Sequence, residues 1–446
     1  MNYLSLFGII AALTLLVVMM MKGANIYLTA ILASLVVAYT SGIGFDPGLT
    51  EYYLDGFLRY FKSYFFLFLS GGIFGAMMRV TNAASAVSRL LVSKIPKRWI
   101  VAAIPVTCFI LCIGGVSVWI AAFAILPIAL GIFREMDWPR RFVPAALIVG
   151  VATAGQVVPG SPASQNLIPY WGLVELGETS VSPSSGLVVG WFVLTLVLIG
   201  CIIWLNVMIK KAQANGEHFV AKPQDTFVDG DEVEHLPNGW VALIPMVVIV
   251  ILINLRIGGQ QVFRAEYAIL LSALVCPIIM WKQIKDKKEI FTSIGQACGN
   301  TITVISGMCA VIGFGSVAQA APAFQSMINA VLNMPGPPVL SAFVSTTVIC
   351  GLAGSASGGL GITVPMLAPS YLALGVPART LHRVMSIASI GLDSLPHNGA
   401  IVGLMNGVCD ETHETAYMPI FKLTVVATLA GGLLAVILFT LFPNLP

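Results

Sequence analysis

The chain has 446 residues, of which 57% are hydrophobic and 10% are charged. A soluble domain carries about 25% charged residues, so no aqueous core absorbs this much apolar sequence and its surface must face lipid. That excludes a soluble enzyme or a nucleic-acid-binding module. The formal net charge of +3 says less than the distribution of charge along the chain.

Fourteen apolar segments follow one another. They lie at about 3–21, 24–42, 60–79, 99–115, 117–133, 141–157 and 185–209, then at 239–255, 265–281, 297–318, 339–354, 357–374, 380–395 and 422–443. Runs of about 20 residues cross a hydrocarbon core about 30 Å thick. They show no apolar–polar alternation, so they are helices and not barrel strands. The first run starts at Leu4 with no basic residue before it, and Met19–Met21 and Lys22 follow it instead of a small-residue cleavage site; it reads as a retained span. Segments 99–115 and 117–133 nearly touch, as do 339–354 and 357–374. Each pair is read as a re-entrant hairpin or as two full spans, and either returns the chain to the side it left. The eight cysteines have no metal-like spacing and mostly sit in apolar runs, where Cys acts as a small apolar residue. No metal and no cofactor are expected.

Assigning alternate loops to two sides puts 17 Lys and Arg on one and 6 on the other. The richer side receives Arg79, Arg89, Lys94, Lys97, Arg134, Arg140, Arg141 and Lys222 among others, and the poorer side includes Arg379 and Arg383. The richer side is expected to be cytoplasmic, with both termini outside, in the inner (plasma) membrane. The stretch 211–238 holds Glu217, Asp225, Asp229, Asp231, Glu232, Glu234, Pro223 and Pro237. It is expected to be a flexible acidic cytoplasmic tether. The stretch 82–95 mixes apolar residues with Ser88, Arg89 and Lys94 and is expected to lie flat in the interface; 320–333, its counterpart, carries no charge.

The tether separates two similar halves, 1–210 and 239–446. Leu126-Pro127 matches Val364-Pro365, and Pro139-Arg140-Arg141 matches Pro377-Ala378-Arg379, both at an offset of 238. Phe74-Gly75 meets Phe314-Gly315 at 240, and Val158 to Pro162 meets Leu395 to Gly399 at 237. Each half holds seven segments, an odd number, which turns the second copy upside down. That is the inverted-topology repeat of secondary transporters. The fold class is therefore an all-α integral membrane protein of two inverted repeats. Each repeat has a hairpin (about 99–133 and 339–374) and an unwound helix (about 141–175 and 380–410).

Four Gly/Ser/Pro-rich breaks interrupt the apolar segments: Gly114 to Ser117, Val158 to Asn166, Gly354 to Gly359, and Ser394 to Gly399. Pro and Gly unwind a helix and free backbone donors and acceptors, which is tolerated at membrane depth only in buried protein or along a wet cavity. Half-helix N-termini aimed at such a cavity favour an anion, typically a carboxylate. Ser hydroxyls and the amides of Asn166 and Asn398 add hydrogen bonds. Asp393 lies near the end of an apolar segment, four residues before His397. An ionisable group there is a functional hypothesis by default, and a carboxyl or an imidazole carries a proton well; a structural cap is the other reading of Asp393. His382 and His413 lie beside charged residues and read as surface or loop positions.

On these features the chain resembles the gluconate–proton symporter (GntP) family of the ion-transporter superfamily. The resemblance is sharpest at Val151 to Tyr170 and at Ser386 to Asn406, with the run Leu392-Asp393-Ser394-Leu395-Pro396-His397-Asn398-Gly399. It implies a scaffold domain and a transport domain with hairpin tips and two unwound helices, often a homodimer, and an elevator motion. Members carry gluconate and related sugar acids, and some branches carry short hydroxy acids such as 3-hydroxybutyrate. Carried over by position, the first unwound helix supplies Ser161, Ser164 and Asn166, and the second His397 and Asn398. Gluconate carriers resemble a Pro-Pro-His-Pro-Gly-Pro pattern in the first repeat. Here that run is Val158-Pro159-Gly160-Ser161-Pro162, without His, which points to a smaller, less hydroxylated acid.

The expected function is proton-coupled symport of a small hydroxy- or oxo-monocarboxylate. Ser117, Ser161, Ser164, Asn166, Ser355, Ser357, His397 and Asn398 would bind the anion, and Asp393 or His397 would carry the proton. Sodium-coupled transport of a dicarboxylate or an amino acid is the alternative, since freed carbonyls suit sodium as well. A membrane enzyme is disfavoured, because Gly354-Ser355-Ala356-Ser357-Gly358 puts Ala where a nucleophile elbow needs Ser. No nucleotide or nucleic-acid motif occurs, and nothing suggests the repeated selectivity ring of a channel.

Overall fold

A backbone in hydrocarbon has no water to bond, so each apolar segment closes its N–H and C=O groups on itself as a helix. The computed structural model describes residues 3–442 apart from 23, 98, 114–117, 162, 224, 226–235, 258–259, 285–286, 325 and 327–335. The first half runs through α1 (Tyr3–Met21), α2 (Ile26–Thr40), α3 (Leu54–Val80), α4 (Ala83–Lys94), α5 (Ile100–Ile113), α6 (Val118–Glu135), α7 (Val143–Gly150), α8 (Ser164–Glu175) and α9 (Leu187–Ala214). The second runs through α10 (Ile244–Asn254), α11 (Ala265–Ile279), α12 (Lys288–Ala320), α13 (Pro338–Ala353), α14 (Ala356–Ala373), α15 (Ala378–Ser389), α16 (Gly399–Val408) and α17 (His413–Leu441). Among the described residues the only ladder is two residues long, Arg256–Ile257 antiparallel to Gln260–Gln261.

All fourteen expected segments contain helix, but several bounds move. Helical turns from Phe45 onward lead into α3, α12 begins at Lys288, and α17 begins at His413. The apolar run ends where charged residues such as Asp55, Glu289 and Glu414 begin, yet charged residues do not interrupt a helix. Thr412 caps α17, its hydroxyl accepting from Thr415 N. Among the described residues four helices are long and apolar enough to cross a membrane alone: α1, α9, α12 and α17. Phe45–Lys62 with Tyr64–Val80, bent by 46°, makes a fifth. Most of the remaining segments are shorter or interrupted. On α9 the side chains of Leu196, Ile199, Ile203 and Val207 are exposed, while Val193, Cys201, Leu205 and Ile209 are buried. One stripe thus faces protein and the other faces lipid.

The helices pack in two groups. In one, α3 lies along α12, with α1, α2 and α11 beside them. In the other, α5 packs on α7, α13 on both α14 and α15, α8 on α14, and α9 on α17. Hairpin arms α13 and α14 are tied where Tyr371 Oη meets Ser341 Oγ and Ser345 Oγ, each at 2.9 Å. Small residues set the closest approaches, as in other membrane bundles. A Cβ on Gly150 of α7 would sit 1.9 Å from the Pro105 carbonyl of α5, and one on Gly431 of α17 would sit 2.3 Å from Val197 of α9. The groups meet where α6 packs on α3 and α4, and where α16 packs on α12.

The expected flexible tether is corrected over its described part. Helix α9 runs to Ala214, and Glu217, His218, Phe219, Lys222 and Asp225 are bound to the loops beside α7 and α16. Arg140 donates through Nε and Nη2 to the two Asp225 oxygens, at 2.8 and 2.9 Å, and through Nη1 to Glu411 at 2.6 Å. The side chains of Arg140, Asp225 and Glu411 are only 5%, 3% and 7% exposed. Arg141 makes a second two-pronged pair with Glu217, at 2.7 and 2.9 Å. Asp137 accepts from His218 Nδ1 and Phe219 N, which holds its carboxyl below the ordinary carboxylate range. Acidic residues make a tether only when no cation waits for them, and here Pro139-Arg140-Arg141 supplies two. Residues 226–235 lie outside the described residues.

Buried partners of a removed charge typically cost about 3–5 kcal/mol. Arg140→Met is expected to release the strap, and limited proteolysis of residues 217–225 in detergent should then be faster than in the parent. An unchanged cleavage rate would show that the Arg141–Glu217 pair alone holds it.

Candidate substrate site

Each broken helix leaves carbonyls that its own turn no longer satisfies, and the protein supplies donors for them. In the first break, Ser161 Oγ donates to Gly155 O at 2.8 Å, and Asn166 Nδ2 donates to Ser161 O at 2.7 Å and Pro183 O at 3.0 Å. Arg383 reaches over from α15: Nε donates to Ser185 O at 2.8 Å, Nη2 to Pro183 O at 3.0 Å, and Nη1 to Val157 O. His382 Nε2 donates to Asn166 O at 2.9 Å. Both residues are fully buried, which corrects the surface reading of His382 and the counting of Arg383 among the loop charges. In the second break, Thr347 donates to Ala388 O, Tyr417 to Ser394 O, and His413 Nε2 to Pro396 O at 2.9 Å. His413 is therefore a buried brace and not a loop residue. The bracing is reciprocal, because Arg140, at the start of the first broken helix, donates to Cys409 O just past α16 at 2.7 Å.

The tip of the second hairpin meets the second break. Asn398 caps α16, its Oδ1 accepting from Ala400 N and Ile401 N, and its Nδ2 donates to Gly354 O at 2.9 Å and Asp393 Oδ1 at 2.8 Å. Ala356 N, the first of α14, also donates to Asp393 Oδ1, at 2.7 Å. Asp393 thus caps the hairpin helix and not the half-helix that follows it in sequence. Both bonds end on Oδ1; among the described residues Oδ2 has no protein partner. His397 Nε2 donates to Gly351 O at 2.8 Å.

A cavity of about 310 Å³ lies between these tips and the long helices. Ser164, Ser355, Ser357, Asp393 and Asn398 line it. Ser161, Asn166 and His397 are buried behind it as braces of the breaks. Ser117 lies outside the described residues. Four helices begin at the wall, through Val118 of α6, Ser164 of α8, Ala356 of α14 and Ala400 of α16. The N-termini of α14 and α16 are capped from within, by Ser355 and Asp393 and by Asn398. That of α8 starts at the wall with no side-chain cap, which leaves the positive end of its dipole and its first N–H groups without a side-chain partner there. Such an end attracts an anion.

Sequence reasoning missed part of the wall. Gln156 and Gln165 line it from the first break, and Tyr60 and Tyr64 of α3 line it from the opposite group. The glutamines carried a signal, being polar side chains at membrane depth. The tyrosines carried little, because an aromatic pair at i, i+4 in an apolar helix looks like any packed face.

The GntP family permease model matches residues 4–441. The uncharacterized transporter YxjC of Bacillus subtilis is 26% identical across 95% of this chain and 96% of its own length. An uncharacterized permease of Haemophilus influenzae is 20% identical across 81% of this chain and 78% of its own. Among solved structures, the YdaH transporter of Alcanivorax borkumensis aligns over 88% of each chain at 14% identity with a TM-score of 0.35. MtrF of Neisseria gonorrhoeae, reported with a class of antimetabolite efflux pumps, aligns over 98% of this chain and 96% of its own at 14% identity with a TM-score of 0.39. Those two scores are too low to carry a structural argument. The family match extends over nearly the whole chain: it belongs to the GntP permease family and is a multi-pass membrane transporter, as the resemblance in its broken helices implied.

The guanidinium of Arg383 meets three carbonyls at once, a fork that an ammonium does not reproduce. Arg383→Lys is expected to cost about 2–3 kcal/mol, seen as a lower melting temperature of the detergent-solubilised protein. An unchanged melting temperature would mean that the first break does not depend on this brace.

Proposed function

We propose that this GntP family permease is a secondary active transporter that moves a small hydroxy- or oxo-monocarboxylate together with a proton. The observation that carries the reading is a cavity of about 310 Å³ lined both by the uncapped N-terminus of α8 and by Asp393. The substrate carboxylate sits at the α8 N-terminus, within reach of Ser164 and Gln165, where backbone N–H groups and the helix dipole replace its hydration. Its hydroxyl or oxo group turns toward Ser355, Ser357 and Asn398. The wall holds no free cation among the described residues, so one carboxylate suits it better than two.

Asp393 is the proposed proton carrier. Its Oδ1 is fixed by two donors, and Oδ2 takes and releases the proton facing the cavity. A carboxylate beside a bound anion repels it, and protonation removes that repulsion; substrate and proton therefore bind together. His397, turned away to Gly351 O, serves to hold the hairpin tip. The bulk of the first helix group, α1 to α3 and α10 to α12, is the scaffold, and the hairpins and broken helices move against it as an elevator. The shared order of parts in the two halves supports an inverted repeat, and the linker face is the cytoplasmic one. Homodimerisation through the scaffold completes the reading.

Uptake into proteoliposomes under an inward proton gradient tests it, with labelled 3-hydroxybutyrate, lactate, gluconate, citrate and succinate, with and without sodium and an uncoupler. One monocarboxylate should accumulate, and the uncoupler should abolish accumulation. Asp393→Asn should lose accumulation against a gradient and keep exchange, while Ser164→Ala should raise KM by about tenfold, the loss of one hydrogen bond to a charged group. Full accumulation by the Asn variant would remove Asp393 from proton coupling, and sodium dependence at fixed pH would replace the proton by sodium.

A further inference from the structure

A second cavity, of about 510 Å³, lies beside the first. The same helices line both in succession. Along α3 the wall passes from Tyr60 and Tyr64 in the first to Gly71, Gly75 and Arg79 in the second. Along α6 it passes from Val118 to Leu126 and Leu130, and along α12 from Ile312 to Thr301 and Ala297. The second cavity ends at Arg79, Arg140, Asp225 and Asp410, and the Asp410 side chain is 58% exposed. It therefore opens at the surface beside the linker strap.

Three rings stand between the two spaces. Phe68 of α3 packs on Trp119 of α6 with centroids 4.6 Å apart, and edge-on against Phe123 of α6 at 5.5 Å. Trp119 lines the first cavity, and Phe68 and Phe123 line the second. Gly71 leaves the room for this cluster, since a Cβ there would sit 2.3 Å from the Phe123 ring. The side away from the linker is packed differently. Gly313 lies against Tyr53, and a Cβ on Gly315 of α12 would approach the Ala353 carbonyl at the hairpin tip to 3.3 Å.

We propose that the second cavity is the access vestibule of the substrate site on the linker side, and that Phe68, Trp119 and Phe123 form the thin partition between them. The inference rests on reading the first cavity as the substrate site. Phe68 belongs to one helix group and Phe123 to the other, so relative motion of the groups, or rotation of one ring, opens the partition. On the opposite side, among the described residues, Gly313 lies against the Tyr53 ring and Gly315 close to the Ala353 carbonyl, so α12 is packed directly on α3 and the hairpin tip there. Phe68 and Phe123 thereby limit what passes by size and flatness, independently of what the site binds.

The test uses the full-length chain with its eight cysteines replaced, single cysteines at Gly75 or Ser164, and a membrane-impermeant maleimide applied to each face of oriented vesicles. Gly75→Cys should label from the linker face and not from the other. Ser164→Cys should label slowly from the linker face, and about tenfold faster when Phe123→Ala or Phe68→Ala is added, the factor expected from losing one aromatic contact in the barrier. Phe123→Leu, which keeps bulk, should label slowly again and guards against general loosening. Labelling of Gly75→Cys from the opposite face, or a Ser164→Cys rate that neither alanine variant changes, would overturn the proposal. Labelling does not depend on transport, so a failure of every acid to be taken up would sink the function and leave this reading intact.

Discussion

A carbonyl or amide freed inside a membrane must find a partner in the protein, because hydrocarbon offers none and each orphan costs several kcal/mol. This constraint organises the whole second helix group. The two breaks expose backbone, and Arg383, His382, Asn166, Asn398, Tyr417 and His413 exist where they do to receive it. Arg383 shows the strength of the demand: a buried cation is itself expensive, yet here it meets carbonyls instead of a carboxylate. Its planar fork lets one side chain close three acceptors from two connections of the chain.

The same bookkeeping of donors separates what is structural from what is available. The N-termini of α14 and α16 are closed by Ser355, Asp393 and Asn398, while that of α8 is not closed by any side chain. The proposed anion site lies where the bracing stops. Asp393 sits on the border: it lines the cavity, and its Oδ1 is used by the fold through Ala356 N and Asn398 Nδ2.

Small residues bring helices together and aromatic residues fill what remains. Between the groups, a Cβ on Gly403 of α16 would sit 2.2 Å from Met308 of α12; within the second group, one on Gly150 would sit 1.9 Å from Pro105 and one on Gly431 2.3 Å from Val197. Glu217 and Asp225 of the strap tie the end of α9 to the loops of both broken helices through Arg141 and Arg140. The two halves are therefore joined by more than a covalent tether.

Much of this was legible in residue types alone. Apolar length marks helices, and Gly/Ser/Pro runs mark breaks, because the cost of a backbone conformation is local. Thus the paired segments 339–354 and 357–374 appear as the helices α13 and α14, and the helices stop at the runs around Val158 and Leu395. Ser164, Ser355, Ser357, Asp393 and Asn398 were named because a polar group at membrane depth stands out wherever it points. What no local pattern reveals is which partner a polar group finds. His397 and Asn166 turn away from the cavity, while Tyr60 and Tyr64, from a helix far off in sequence, turn into it. Arg383 looked like a loop charge because its acceptors lie more than 190 residues away, and the acidic linker looked loose because its cations lie near residue 140. The sequence by itself determined where the apolar helices and their breaks lie and which polar groups interrupt them, since these follow from transfer costs paid residue by residue. Only the tertiary structure decided which groups brace the backbone and which face the cavity, because a hydrogen bond depends on where its two ends come together.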